Sequence, residues 1–331
     1  MAYKVQLLPS NKTFTVEGRE TILRAGMRDG LNLSHSCMNG SCGECRARLV
    51  DGTIRRSRHH DFPISEHEFQ QGWFLACCNQ AQTDLIVEMH EMSHPGELPL
   101  QQIDAKVSGL QQLQDDVMHL QLRLPRSQVM DFLAGQRAQL CLEDGSCLEL
   151  GIASCPCDSH SLSFHVRRQP DDAFSNRVFE HLQKGKKVAL SGPVGRFTLD
   201  EASSRPLIFI AWESGFAQIK SIIDHVVSID PERQMFLHWL SALPQGHYLS
   251  NYCRSWRDAL DNFNYQCVDL QPLGEATFVS TLQGIAAQHE NLEEFDIYAV
   301  LPEYEADIML SFMVENEVME SRLFTEILKQ S

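Results

Sequence analysis

Nine residues hold three cysteines, Cys37-Met-Asn-Gly-Ser-Cys42-Gly-Glu-Cys45, and a fourth stands apart at Cys77. This C-x4-C-x2-C run with one remote partner is the plant-type spacing for a [2Fe–2S] cluster. Two tetrahedral irons need four thiolates converging on one small cage. A tight loop can offer three of them if its backbone wraps around the cluster. Gly40 and Gly43 supply the φ > 0 turns that such wrapping needs, and they let backbone N–H groups approach the sulfurs. Cys77 arrives on the apolar run Leu75-Ala76-Cys77, which can shield the fourth corner. Zinc motifs pair two short cysteine clusters, and an arrangement of three plus one does not match them. The four candidate metal ligands are therefore Cys37, Cys42, Cys45 and Cys77.

The remaining cysteines read as thiols. Cys78 follows the fourth ligand, and strand alternation points it the other way, into the interior. Cys155 and Cys157 form a C-x-C pair in a loop. Only His160 and His165 lie nearby, so the pair reads as structural. Cys141, Cys147, Cys253 and Cys267 fall in strand or helix patterns and read as small core residues. Eleven cysteines, an odd number in a 331-residue chain without an export signal, predict metal ligands plus reduced thiols in a cytoplasmic protein.

Charge narrows the partners. The chain carries 28 Lys and Arg against 44 Asp and Glu, a net of −16, which argues against nucleic acid. The excess is local: residues 206–331 hold 19 acids and 6 bases, a net of −13. Such a field suits docking of a basic partner and opposes a polyanionic ligand. No apolar run reaches the length of a membrane span.

The pattern along the chain predicts an α+β and α/β multidomain protein. Residues 1–92 carry strands at Tyr3–Leu8, Thr13–Val16 and Leu85–Met89 and a helix at Thr21–Asp29. Residues 93–101, rich in proline and glycine, read as a linker. Residues 102–202 show six short alternating runs (Ile103–Val107, Val117–Leu124, Arg137–Leu142, Cys147–Ile152, Leu162–Val166 and Lys187–Leu190) and a helix at Phe174–Leu182, which predicts an antiparallel β-barrel. Residues 203–331 alternate strand and helix, as in a parallel α/β nucleotide-binding-type domain.

The N-terminal segment resembles the plant-type ferredoxin domains, of β-grasp fold, that are fused to oxygenase reductases. The likeness spans residues 3–90, including Glu20-Thr21-Ile22-Leu23 and Gly72-Trp73-Phe74-Leu75-Ala76-Cys77. It implies that Cys37 and Cys42 hold one iron while Cys45 and Cys77 hold the other. Residues 103–331 resemble the ferredoxin–NADP reductase superfamily. The matching pieces are Gly135-Gln136, His165-Val166-Arg167-Arg168, Ser175, Gly192-Pro193-Val194-Gly195-Arg196-Phe197 and Pro206–Ala211. The whole order is similar to that of oxygenase reductases and CDP-6-deoxyglucoseen-type reductases.

Against that resemblance, the ligand motifs depart. The flavin motif R-x-Y-[ST] aligns with Leu148, Leu150 and Gly151, so the cation, the stacking ring and the hydroxyl are all replaced. The glycines expected before Ser175 read Asp171-Asp172-Ala173. The G-G-T-G turn of the nucleotide domain reads Trp212-Glu213-Ser214-Gly215, and the C-G-P motif reads Val300-Leu301-Pro302. These departures put FAD binding in doubt and argue against NAD(P)H. The residual flavin-site candidates are Arg167, Arg168, Ser175, Gly192, Gly195 and Phe197, and no catalytic residue stands out. The sequence thus predicts a [2Fe–2S] electron-transfer and docking protein on a reductase-like scaffold, acting with a redox partner such as an oxygenase and docking it on the acidic C-terminal domain. The alternative is an active NAD(P)H-dependent FAD/[2Fe–2S] reductase.

Overall fold

The computed structural model describes residues 2–328 except 19, 32, 35–39, 41–42, 44, 61, 90–97, 99, 127, 159, 244–245 and 290. The chain forms two compact units, Met1–Pro99 and Leu100–Ser331.

In the first unit, β1 (Ala2–Leu8) and β2 (Thr13–Glu17) form a hairpin, followed by α1 (Ile22–Arg28), β3 (Arg46–Asp51), β4 (Ile54–Arg56), α2 (Glu66–Gln70), β5 (Trp73–Leu75), β6 (Asn79–Ala81) and β7 (Leu85–Met89). The main sheet runs β2-β1-β7-β3-β5, with β1 and β7 parallel at its centre. Alternation drives it: Val5, Leu7, Leu85 and Val87 bury one face. Helix α1 presents Ile22, Leu23 and Ala25 to that face and starts at Thr21, whose hydroxyl accepts from the Arg24 N–H. This is the grasp arrangement that the resemblance implied.

The second unit opens with β8 (Gln101–Gln114), β9 (Val117–Arg123), β10 (Arg137–Cys141), β11 (Cys147–Gly151), β12 (Ser161–Arg167), α3 (Ala173–Glu180) and β13 (Lys187–Val194). Their order is β11-β10-β13-β8-β9-β12. A single antiparallel bridge, Ile152 to Phe164, links the end of β11 to β12 and nearly closes the barrel.

Then come β14 (Leu207–Trp212), α4 (Phe216–Ile229), β15 (Met235–Ser241), α5 (Ser250–Ala259), β16 (Phe263–Asp269), α6 (Glu275–Ala286), β17 (Asp296–Leu301), α7 (Glu303–Glu315) and β18 (Leu323–Ile327). All five strands are parallel, in the order β16-β15-β14-β17-β18. Strands β14 and β17 are buried at every residue, which is why they read as continuous apolar runs. Barrel and α/β layer share one core, in which Val117, Ala134 and Phe197 join Phe209, Phe216, Ile222 and Trp239. No helix among the described residues is long and apolar enough to cross a membrane.

The cysteine readings need correction. Cys141 and Cys147 face each other across β10 and β11 and are joined as a disulfide, and Cys147 is exposed rather than in the core. Cys155 and Cys157 are likewise joined, so these four are not the reduced thiols that the chain context predicts. Cys267 is exposed and Cys253 buried. The linker at 93–101 lies outside the described residues except for Leu98, Leu100 and Gln101, the last of which already begins β8.

Candidate functional site

The first candidate site is the cysteine loop between α1 and β3. Cys37 and Cys42 lie outside the described residues. Cys45 and Cys77 are each 2% exposed. Their backbones meet, because the Ala76 N–H donates to the Cys45 carbonyl at 2.9 Å, extending the pairing of β3 with β5. Two buried cysteines from distant stretches of chain are thus joined through their neighbouring backbone.

The loop glycines are there for shape. Gly40 has φ 91° and Gly43 has φ 83°, the left-handed region that favours glycine. There is also no room for a side chain. A Cβ on Gly43 would lie 2.3 Å from the Phe62 ring, and one on Gly40 would lie 2.6 Å from both the Cys78 sulfur and the His60 Cβ. The Phe62 N–H donates to the Gly40 carbonyl at 3.1 Å. The segment around His60 and Phe62 therefore packs directly on the loop. Cys78 is buried as predicted but does not point away. A turn at residues 76–78 replaces the strand, and the Cys78 sulfur sits 3.5 Å from that of Cys77.

Charged residues brace the exit. Arg46, next to Cys45, pairs with Glu68 at 2.6 Å and lies over the Trp73 ring. Glu68 also completes a capping box with Ser65. The Ser65 N–H and hydroxyl, then Arg46, pull its carboxyl down to about 2. A loop with two buried convergent thiols, left-handed glycines and a packed outer wall fits an iron–sulfur cluster.

The second candidate is the cleft where barrel and α/β layer meet. It sits at the C-terminal end of β14, beside the point where strand order reverses between β14 and β17. Open α/β sheets bind ligands there. Here protein groups fill it. The cavity between Leu148, Leu150, Gly151, Arg167, Ser214 and Gln218 holds about 60 Å³, far below the roughly 300 Å³ of a small-ligand pocket. A Cβ on Gly151 would lie 2.3 Å from the Gln218 side chain, whose amide donates to the Gly135 carbonyl at 2.6 Å. Arg137 is paired with Glu149 at 3.0 Å and with Glu326 at 3.1 Å.

The flavin-site candidates are scattered rather than gathered. Arg167 pairs with Asp116 at 2.5 Å and faces Glu213 at 3.9 Å. Arg168 turns to Glu180 and Asn176. Ser175 is buried in the cap of α3, where the Asp172 carboxylate accepts its N–H at 2.6 Å. A carboxylate thus occupies the helix start where a phosphate would sit. Gly192 packs against Met130 and Ala138. Gly195, at φ 97°, makes its turn beside Arg137. Phe197 is a core residue set edge-on to Tyr298.

The nucleotide-type turn is also occupied. Trp212 is buried against Phe278. Glu213 sits at φ 45°, its carbonyl accepts from the Trp239 indole at 3.0 Å, and its carboxylate accepts the Ala242 N–H at 3.3 Å. Burial raises its carboxyl, with Arg167 opposing. The retained Gly215 is needed for packing, since a Cβ there would lie 2.7 Å from Val300. These residues do not fit an isoalloxazine in the pose that the R-x-Y-[ST] motif implies.

Comparison with known proteins places both regions. Residues 5–82 match the model of the 2Fe-2S iron-sulfur cluster binding domain, and residues 104–199 match that of the oxidoreductase FAD-binding domain. The chain is 30% identical over 303 residues to Protein RfbI of Salmonella typhimurium, covering 90% of this chain and 88% of that protein. It is 29% identical over 304 residues to a CDP-6-deoxy-L-threo-D-glycero-4-hexulose-3-dehydrase reductase of Yersinia pestis, covering 90% of each. It is also 29% identical over 265 residues to a terephthalate 1,2-dioxygenase reductase component of Comamonas, covering 80% of this chain and 78% of that one. The fold matches a cytochrome P450 reductase from Amycolatopsis with a TM-score of 0.63, at 20% identity and 98% coverage of both chains. The FAD-binding-domain match runs against the expectation that FAD is in doubt: as a domain, the barrel is of the FAD-binding kind. The [2Fe–2S] expectation agrees with the first match.

Proposed function

Since the chain belongs to the reductases that join a [2Fe–2S] ferredoxin domain to an FAD-binding oxidoreductase body, we propose that it is the electron-transfer component of a multi-protein system. Its cluster, held by Cys37, Cys42, Cys45 and Cys77, hands single electrons to a partner redox protein such as an oxygenase component. The observation that carries this reading is the cysteine loop: two buried thiols brought together, with glycines whose Cβ positions are blocked by Phe62, His60 and Cys78. The C-terminal third, with a net charge of −13, offers the partner an acidic docking region, which raises encounter rates with a basic surface.

The family brings NAD(P)H and FAD with it, and FAD converts a hydride into single electrons. That is the first reading of where the electrons come from. A second reading rests on the filled cleft: Gln218 against Gly151 and the cavity of about 60 Å³ favour a body that serves as scaffold, with an outside donor charging the cluster. Anaerobic mixing with NADH or NADPH, with and without added FAD, separates them. Bleaching of the cluster bands within seconds supports the first reading. Bleaching by dithionite or a reduced ferredoxin alone supports the second. A protein whose four cysteines bind zinc and show no redox-active bands would refute both.

A further inference from the structure

The loop after β11, Ser154-Cys155-Pro156-Cys157-Asp158, plays no part in either site above. It is nevertheless clamped to α4. The Ser221 hydroxyl donates to the Ser154 carbonyl at 2.7 Å, and the Lys220 ammonium donates to the Ala153 carbonyl at 3.3 Å. One turn further along α4, His225 places Nδ1 3.9 Å from the Cys155 sulfur, while its Nε2 meets the Glu201 carboxylate at 2.8 Å. The Cys157 N–H donates to the Cys155 sulfur at 3.2 Å. The Cys155 sulfur, an imidazole and a carboxylate thus stand in line, and Cys157, joined to that sulfur, is exposed.

Each contact stabilises negative charge on one particular sulfur. An adjacent N–H donor and a proton-accepting imidazole favour a thiolate, and a carboxylate on the far ring nitrogen fixes the orientation of the ring. We infer that Cys155 and Cys157 are a reversible dithiol/disulfide exchange centre, with Cys155 as the stabilised thiolate and His225, oriented by Glu201, as its proton partner. The co-reactant is an external dithiol. One thiolate of the donor attacks the exposed Cys157 sulfur, the Cys155–Cys157 bond breaks, and Cys155 leaves as thiolate. The donor's second thiol then attacks its own sulfur in the mixed disulfide, closes the donor disulfide and releases Cys157. The pair gains two electrons and the donor loses two. Of the two protons shed, one rests on His225 Nδ1 facing Cys155 and one on Cys157. Cys155 also borders a cavity of about 420 Å³ lined by Ser154, His119, Lys220 and Tyr252, which admits a small reagent. This inference does not depend on how electrons reach the cluster.

The test uses the full chain with its cluster, equilibrated in graded mixtures of reduced and oxidised dithiothreitol, acid-quenched and alkylated with iodoacetamide. Peptide masses report Cys155 and Cys157 separately from Cys141 and Cys147. The expected result is that Cys155 and Cys157 become alkylatable together and close again when the mixture is reversed. In the reduced protein, with Cys157→Ser isolating the one thiol, His225→Asn should slow Cys155 alkylation roughly three- to tenfold through loss of thiolate. Glu201→Gln should slow it in the same direction. Glu201 is a surface side chain, so that variant keeps the test open if His225→Asn does not fold. Two thiols alkylatable in every mixture would overturn the inference. So would a Cys155 rate that neither substitution changes.

Discussion

Gly43 and Gly151 both stand where a Cβ would collide with a neighbour, yet they serve opposite ends. Gly43 turns the backbone at φ 83° two residues before the buried Cys45, with Phe62 packed against it. Gly151 lies in a regular strand, and its space is taken by the Gln218 side chain from α4. One glycine shapes a container, and the other admits protein into what would be a container. The lesson is that a glycine does not by itself mark a ligand. What decides is whether the space it leaves is filled by the chain's own side chains, as Val300 fills the space beside Gly215.

The largest expected effect breaks the first half of that comparison. Cys77→Ser removes a thiolate at the corner where Cys45 and Ala76 meet. The cluster should be lost altogether, measured as iron and acid-labile sulfide in purified protein. Retention of the cluster, with the neighbouring Cys78 sulfur taking over, would show that the ligand set is misassigned.

Next in size is acid sensitivity of the α/β layer, away from the cluster. His238 on β15 is 3% exposed, and among the described residues neither ring nitrogen has a hydrogen-bond partner. Burial, then His289, lowers it from 6.5 to about 4. Between those values the unfolded chain binds more protons than the folded one, so stability falls as pH drops from about 6.5 towards 4. The shift corresponds to about 3 kcal/mol. Urea unfolding at pH 7 and pH 4.5 should show this loss in the wild type and a smaller loss in His238→Phe.

The cleft half is sharpened by a double-mutant cycle. Gly151→Ser places a side chain against Gln218 and should cost about 1–3 kcal/mol as overpacking. Gln218→Ala should recover most of that cost when combined with it, because the two share one space. Additive effects would mean that the cleft has room to spare. The smallest effect concerns the brace on the cluster loop: Ser65→Ala removes the N-cap of α2 and should cost about 1 kcal/mol, read from thermal unfolding of the ferredoxin-type unit.

Much of this was legible in the chain. Alternation at Leu85–Met89, Val117–Arg123 and Arg137–Cys141 placed those strands within a residue of where they lie, because each buries one face against a core. Continuous apolar runs marked β14 and β17. The strands β4, β5 and β6 were not visible, since three residues such as Ile54–Arg56 have no period to detect. Strand β18 was hidden because its residues are only half-buried at a sheet edge. The cysteine spacing gave the cluster directly. The departures at Leu150 and Glu213 were also readable, but not their surroundings: Gln218 and Glu326 lie 67 and 175 residues away from Gly151 along the chain. The His225–Glu201 pair had no local signal either, because a helix and a distant turn bring it to Cys155.

The central contrast is tested most directly by quantifying iron, sulfide and flavin in one purified sample, with visible spectra before and after dithionite and the flavin read in the supernatant after heating. Two irons and two sulfides per chain, with bands that bleach on reduction, are the outcome that follows from a shaped cysteine loop, and the flavin content tells an FAD-bearing body from a scaffold. Iron and sulfide absent from the purified chain, or bands that dithionite does not bleach, would contradict it.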